Sequence, residues 1–204
     1  MKIQKPKIRF LEEGVFGKDA PSYREFTSGN DEPFEIRNTE IDSCVFRNVD
    51  FSNVTIEGTD VLDTVFENCD LSNKVFDDHL LQRVEFINCK LMGTTFINSG
   101  LKNVRFDHCL ARYINMAGAS LEKVIIDNCD FSRMSFLTTE LKEVELKKTD
   151  LKESEIYQTS LKDIDLSDCD IEDIAADPDS LRGVIIEPMQ SIQLAGLFGV
   201  KFKE

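Results

Sequence analysis

The sequence predicts an all-β solenoid of square cross-section, and two periodicities predict it. Reading from Ile36 to Ile171 in steps of five lands on 28 consecutive positions that are large and apolar in every case except Ala111. An α-helix turns by ~100° per residue, so a step of five carries such a stripe around the cylinder and makes no buried face. In a strand an odd step alternates faces. The backbone must therefore change direction within each repeat, and units this short bury a face only by stacking. The cysteines supply the second period. Cys44, Cys69, Cys89, Cys109, Cys129 and Cys169 all lie two residues before a central apolar residue, and Cys69, Cys89, Cys109 and Cys129 recur at every fourth step of five. Four five-residue units then make one coil, and 28 units make seven coils, or ~34 Å of shaft at ~4.8 Å per stacked strand.

The elements follow in chain order. Residues 1–34 keep the phase loosely and contain Pro6, Pro21, Pro33, Gly14, Gly17 and Gly29, so they read as an irregular N-terminal cap with a short strand at Lys7 to Phe10. Residues 35–187 are the shaft. One wall stacks Phe46, Phe66, Phe86, Phe106, Ile126, Leu146 and Leu166; the opposite wall stacks Ile36, Ile56, Phe76, Phe96, Met116, Phe136 and Ile156. The remaining two are mostly aliphatic, as in Ile41, Val61, Leu81, Leu101, Leu121, Leu141 and Leu161. Such a core is filled by its own side chains and leaves no lumen for a substrate. Residues 188–204 are a C-terminal module: Glu187 and Pro188 start a helix over Met189 to Phe198, Gly199 stops it, and Val200 to Phe202 form a last strand. The helix is too apolar to be buried on one side alone. The end of the shaft covers one side and a second subunit the other, through Met189, Ile192, Leu194, Leu197, Phe198, Val200 and Phe202.

The units CDLSN (Cys69 to Asn73), CDFSR (Cys129 to Arg133), TDLKE (Thr149 to Glu153) and CDIED (Cys169 to Asp173) resemble the A(D/N)LXX unit of the pentapeptide repeat family. The resemblance implies a right-handed quadrilateral β-helix, with the central residue and the small residue two before it pointing inward. The tail LRGVIIEPMQSIQLAGLFGVKF, Leu181 to Phe202, is similar to the C-terminal module of the quinolone-resistance members, the Qnr type and its mycobacterial relative. In that group the tail joins two shafts end to end. Two shafts span ~70 Å, about two turns of B-DNA at ~34 Å each. The resemblance thus implies a tail-to-tail homodimer that mimics DNA and binds a type II topoisomerase, DNA gyrase or topoisomerase IV. Qnr proteins interrupt their repeats with outward loops that matter for drug protection. No insertion occurs here between Ile36 and Ile171, so the resemblance is to the loopless type.

Composition agrees with a binding protein. With 38 acidic and 24 basic residues the net charge is −14. Asp163, Asp165, Asp168, Asp170, Glu172, Asp173, Asp177 and Asp179 follow one another with no basic residue between. They make a candidate partner-binding acidic patch whose field repels nucleic acid and attracts basic grooves. The cysteines read as buried reduced thiols. A metal site is the alternative, but no CxxC pair or convergent histidines support it. No cofactor is expected. No catalytic fingerprint occurs, and carboxylates on a convex shaft have no pocket to shift their pKa values, so catalysis is not expected either. There is no apolar run near the ~20 residues that a membrane helix needs, and no signal peptide, which leads us to expect no membrane contact and a cytoplasmic location.

A few residues break the pattern. Lys74 and His79 occupy inward small-residue positions beside Asp77 and Asp78. Either they form a recognition bulge, or Lys74 snorkels and both cations pair with neighbouring carboxylates. The space above Ala111 is to be filled by Met116 or Tyr113. His108 faces solvent. Leu62, Leu80, Ile87, Met92, Ile97, Leu110, Leu137 and Tyr157 point outward, and Ile97, Leu137 and Tyr157 share one wall with Ala117 as a strip that a partner can contact.

Overall fold

The computed structural model describes residues 1–8, 11–14, 21–27 and 33–201. Its strands are β1 (Glu12–Glu13), β2 (Arg24–Phe26), β3 (Phe34–Asp42), β4 (Val45–Arg47), β5 (Val54–Glu67), β6 (Leu80–Ile87), β7 (Gly100–Asp107), β8 (Ser120–Asp127), β9 (Ser135–Leu137), β10 (Glu140–Lys147), β11 (Glu155–Tyr157) and β12 (Ala175–Ala176), followed by helix α1 (Gln190–Leu197). All pairings are parallel. From β4 onward each residue pairs with its equivalent one coil further on, as in Val45↔Val65, Val65↔Glu85 and Glu85↔Arg105. A nine-stranded sheet runs β1-β2-β4-β5-β6-β7-β8-β10 with β3 on β5, and β12-β11-β9 form a second sheet. The four-sided parallel solenoid of about seven turns is therefore the fold that the two periods predict.

Each corner is made by the residue two after the central one. It has positive φ at Asn48, Asn68, Asn88, Asn98, Asn103, Asn128 and many further positions, and at Gly58, Gly93 and Gly118. Lys74 N donates to Leu71 O (3.2 Å) and Thr94 N to Leu91 O (3.1 Å), closing turns with the left-handed residue third. Asn and Gly tolerate that conformation best, which explains their recurrence at this phase.

Inside, the rings of Phe26, Phe46, Phe66, Phe86 and Phe106 stack in register at 4.9–5.1 Å between centroids. Phe76 and Phe96 stack on the opposite wall at 5.3 Å. The six cysteines are buried free thiols. Burial pushes the Cys44 thiol up to about 11 and the Cys169 thiol up to about 12, so both are inert near neutrality.

Three expectations need correction. First, the ladder begins well before residue 35: β2 pairs with β4, and Phe26 extends the phenylalanine stack. The expected strand at Lys7 to Phe10 does not form over Lys7 and Ile8, because this segment crosses the strands along the shaft instead of pairing with one; Arg9 and Phe10 lie outside the described residues. Second, Val200 and Lys201 are not a strand, since a strand needs a ladder partner and none of the described residues pairs with them; Phe202 lies outside the described residues. Third, Tyr113 does not fill the space above Ala111. It occupies a corner at φ +60°, half exposed, where Arg133 donates to its hydroxyl (2.5 Å), while Ile114 and Met116 are fully buried.

Helix α1 is shorter than expected by one residue at each end. Glu187, Pro188 and Met189 form its first turn through i to i+3 bonds, Gln190 N to Glu187 O (3.2 Å) and Ser191 N to Pro188 O (3.3 Å).

Candidate functional site

Asp is frequent just before the central residue because its side chain closes the turn that follows. Asp50, Asp70, Asp130, Asp150 and Asp170 each accept the main-chain N–H two residues on, at 2.7–3.2 Å. These five stand on one wall, joined by the bridges Asp50↔Asp70, Asp130↔Asp150 and Asp150↔Asp170, with Lys90 and Leu110 between. One carboxylate oxygen is committed to the turn. The repeat thereby fixes a column of oriented anions, with neighbours in the column ~4.8 Å apart.

The eight residues of the acidic patch form a belt around the last full coil. Asp163 and Asp173 are half a coil apart and occupy opposite corners, both with positive φ. Asp163, Asp165 and Asp168 line a shallow cleft of about 410 Å³ with Glu145 and Lys147, where the long sheet ends at β10. The coil below adds a cation that the linear sequence conceals: Lys152 Nζ lies 3.0 Å from Asp170 and 3.2 Å from Glu172. Asp179 pairs with Arg182 at 2.9 Å. Asp177 accepts Ser180 Oγ (2.7 Å), Ser180 N (2.8 Å) and Gln158 N (2.7 Å), and these bonds hold its carboxyl down at about 2. It is a turn-forming residue. Among the described residues, Asp163, Asp168 and Asp173 have no cation at salt-bridge distance.

At the C-terminal end, Met189, Ile192, Leu197, Phe198 and Val200 are exposed, with Met189 at 67 % and Phe198 at 56 %. Leu194 is the exception. It is buried against the core at the end of the shaft, so it belongs to the cap and not to an exposed interface. Ile185, 48 % exposed, adds to the apolar surface. The helix is anchored by Gln190, which the sequence reading passed over. Its side chain is buried, donates to Leu166 O (2.9 Å) and Cys169 O (2.8 Å), and accepts Glu187 N (2.8 Å). Gln193 and Ser191 lie in the same helix, so the sequence gives no signal that singles out Gln190 for this role.

Lys74 and His79 form no bulge. Lys74 Nζ donates to the main-chain carbonyls of Val54 (2.8 Å) and Ser52 (3.3 Å) rather than to a carboxylate, and burial pulls its pKa down. His79 Nδ1 lies 3.2 Å from Asp60, not from Asp77 or Asp78. His108 is exposed and paired with Asp107 at 2.6 Å. Of the outward apolar residues, Leu80, Met92, Leu110, Leu137 and Tyr157 are exposed, whereas Leu62, Ile87 and Ile97 are half-buried. The Ile97 strip is real as geometry: Tyr157 pairs with Leu137 in register, and Gly118 N donates to Leu137 O (2.8 Å). No group of three or more His, Cys, Asp or Glu among the described residues is arranged to hold a metal ion, and no helix there is long and apolar enough to cross a membrane.

Residues 59–129 match the family model described as the pentapeptide repeat region. The middle of the shaft is thus a pentapeptide repeat region. No curated protein matches it. Among solved structures, full-length QnrB1, described as a plasmid-mediated fluoroquinolone resistance protein, is 14% identical with a TM-score of 0.33, covering 86% of this chain and 100% of that one. HetL, a pentapeptide repeat protein involved in heterocyst differentiation regulation from the cyanobacterium Nostoc sp. strain PCC 7120, is 13% identical with a TM-score of 0.32, covering 79% and 90%. Rfr23, a pentapeptide repeat protein from the cyanobacterium Cyanothece 51142, is 16% identical with a TM-score of 0.22, covering 53% and 64%. None of these likenesses carries a function over to this chain.

Proposed function

We propose that this chain is a non-catalytic cytoplasmic binding protein, dimeric through its tail, whose acidic rod takes the place of duplex DNA in the basic channel of a type II topoisomerase, DNA gyrase or topoisomerase IV, and modulates it or its quinolone sensitivity. The supporting observation is the column of turn-locked carboxylates on a rod of fixed pitch. Residues 36–171 carry 25 acidic and 15 basic side chains, so the ~34 Å shaft has about one net negative charge per 3.4 Å, against one per ~1.7 Å of duplex. The density is of the same order, and the rod cannot relax it by bending. Like charge disfavours nucleic acid itself as a ligand.

The test is a gyrase supercoiling assay with titrated protein, with and without a quinolone. The expected result is inhibition that weakens with salt and with reversal of Asp163 and Asp173 to Lys. Those corners accept lysine, since Lys123 and Lys148 hold the same conformation at φ +58° and +46°. No inhibition, no change in quinolone response and no pull-down of the topoisomerase overturn the reading. Light scattering tests the dimer: twice 23.2 kDa is expected for the wild type and one chain mass for Phe198→Asp. Leu194 is unsuitable for that test because it supports the core.

A second reading, an interaction scaffold for an unrelated partner, is favoured by the uncharged strip Ile97, Ala117, Leu137 and Tyr157, which lies between Asp77 and Asp177 on one wall. Binding that survives reversal of Asp163 and Asp173 but is lost in Leu137→Arg supports it over the first.

A further inference from the structure

The first eight residues lie along the outside of the shaft and touch it at a regular interval. Gln4 N donates to Asn103 Oδ1 (2.9 Å) and Lys7 N to Asp63 Oδ1 (2.7 Å), while the Met1 ammonium pairs with Glu145. A step from Gln4 to Lys7 along the segment thus crosses two coils of the shaft, from Asn103 to Asp63. Two coils measure ~9.6 Å, and one three-residue turn of a polyproline II segment measures ~9.3 Å. The two repeats are commensurate, and Pro6 lies within the segment.

The corner beneath is adapted to this cover. Asp63 and Asn103 are 8 % and 3 % exposed, whereas Glu143 and Asp163, further along the same corner, are exposed. Asp63 is also held by Arg83 at 2.5 and 2.6 Å, so its second role, toward Lys7 N, is pre-oriented. Beside the segment an open groove of about 820 Å³ is floored by Ile87 and Ile125. The segment makes no ladder bond, so the shaft closes without it. Its lysines, Lys2, Lys5 and Lys7, match an acidic body.

We propose that this corner is a docking surface for an extended lysine-rich peptide segment of a partner protein, and that residues 1–8 are its resident occupant. The wall recognises main-chain N–H groups spaced by three residues, with positive side chains between them. A tethered occupant acts at an effective concentration on the order of millimolar, so a partner segment binds well only once the resident one is released.

The probe is a labelled, N-terminally acetylated peptide of sequence MKIQKPKIRF, followed by fluorescence anisotropy against the full chain and against its Gln4→Pro/Lys7→Pro variant. Each proline removes a donated N–H without touching the wall. The peptide is expected to bind the variant at least tenfold tighter than the wild type. A peptide carrying the same two prolines is expected to lose at least tenfold. Adding Asn103→Gly should weaken binding while preserving the fold, because Gly58, Gly93 and Gly118 hold the same corner conformation elsewhere. Equal affinity for wild type and variant, no binding to the variant, or indifference to the prolines in the peptide overturns the proposal. Should the variant not fold, millimolar unlabelled peptide added to the wild type is expected to speed hydrogen exchange at Gln4 and Lys7, and unchanged exchange refutes the proposal.

Discussion

Gln190→Ala removes three hydrogen bonds at once from the junction between shaft and helix. The lost partners are Leu166 O, Cys169 O and Glu187 N, at 2.8–2.9 Å, around a side chain that is 6 % exposed. At a net ~1 kcal/mol per bond, the loss is about 3 kcal/mol, and more if the two carbonyls stay shielded from water. An eight-residue helix has no stability of its own, so this energy falls almost wholly on docking α1. At 1.4 kcal/mol per factor of ten, the opening constant of the tail rises about 100-fold. Hydrogen exchange read by mass spectrometry should show faster exchange over residues 188–201, with β5 to β8 unchanged. A Gln190→Glu variant sharpens the test. A carboxylate facing two carbonyl oxygens is repelled, whereas its protonated form can donate to one of them, so tail protection should improve as pH falls through the carboxyl range. Wild-type exchange rates in both variants would falsify the account of Gln190 as the anchor.

Three further outcomes are expected. Gly118→Ala places a Cβ 2.3 Å from Asn98 Oδ1 at φ +69°, and should cost about 1–2 kcal/mol, lowering the melting temperature by roughly 4 °C; Gly196→Ala, in α1 with nothing within 4 Å, should raise it slightly. Phe86→Ala removes a fully buried ring stacked at 5.1 and 5.0 Å between Phe66 and Phe106, and should cost about 4 kcal/mol in denaturant melts, with an unaltered midpoint arguing against in-register stacking as a source of stability. Asp177 has a folded pKa of about 2, below its unfolded value near 3.9, so it contributes stability that is present above pH ~4 and is lost as pH falls toward 2. Asp177→Asn should therefore be less stable than the wild type at pH 6 but lose less between pH 4 and pH 2, as thermal melts across that window would show.

The repeat was legible because it is local. A residue such as Phe86 meets Phe66 and Phe106 only because each lies one coil away, so the sequence period is the spatial contact. The same directness exposes the corner: Asn48, Asn68, Asn88, Asn128 and Gly118 recur in phase because the backbone is left-handed there. What escaped was whatever the period of the buried residues does not specify. The N-terminal segment runs across the coils, and its partners Asp63 and Asn103 look like ordinary corner residues. The acidic run from Asp163 to Asp179 reads as unpaired because Lys152, which neutralises part of it, lies one coil below. Leu194 and Phe198 are equally apolar in the sequence, yet one is buried and the other 56 % exposed.

By itself, then, the sequence determined the shaft: its cross-section, its pitch, its filled core and its buried thiols, all consequences of a period that repeats each contact every coil. The tertiary structure decided the surface. Which carboxylates are neutralised from the neighbouring coil, which apolar side chains of the tail remain open, and where the first eight residues lie depend on side-chain contacts that the period of the buried residues does not specify.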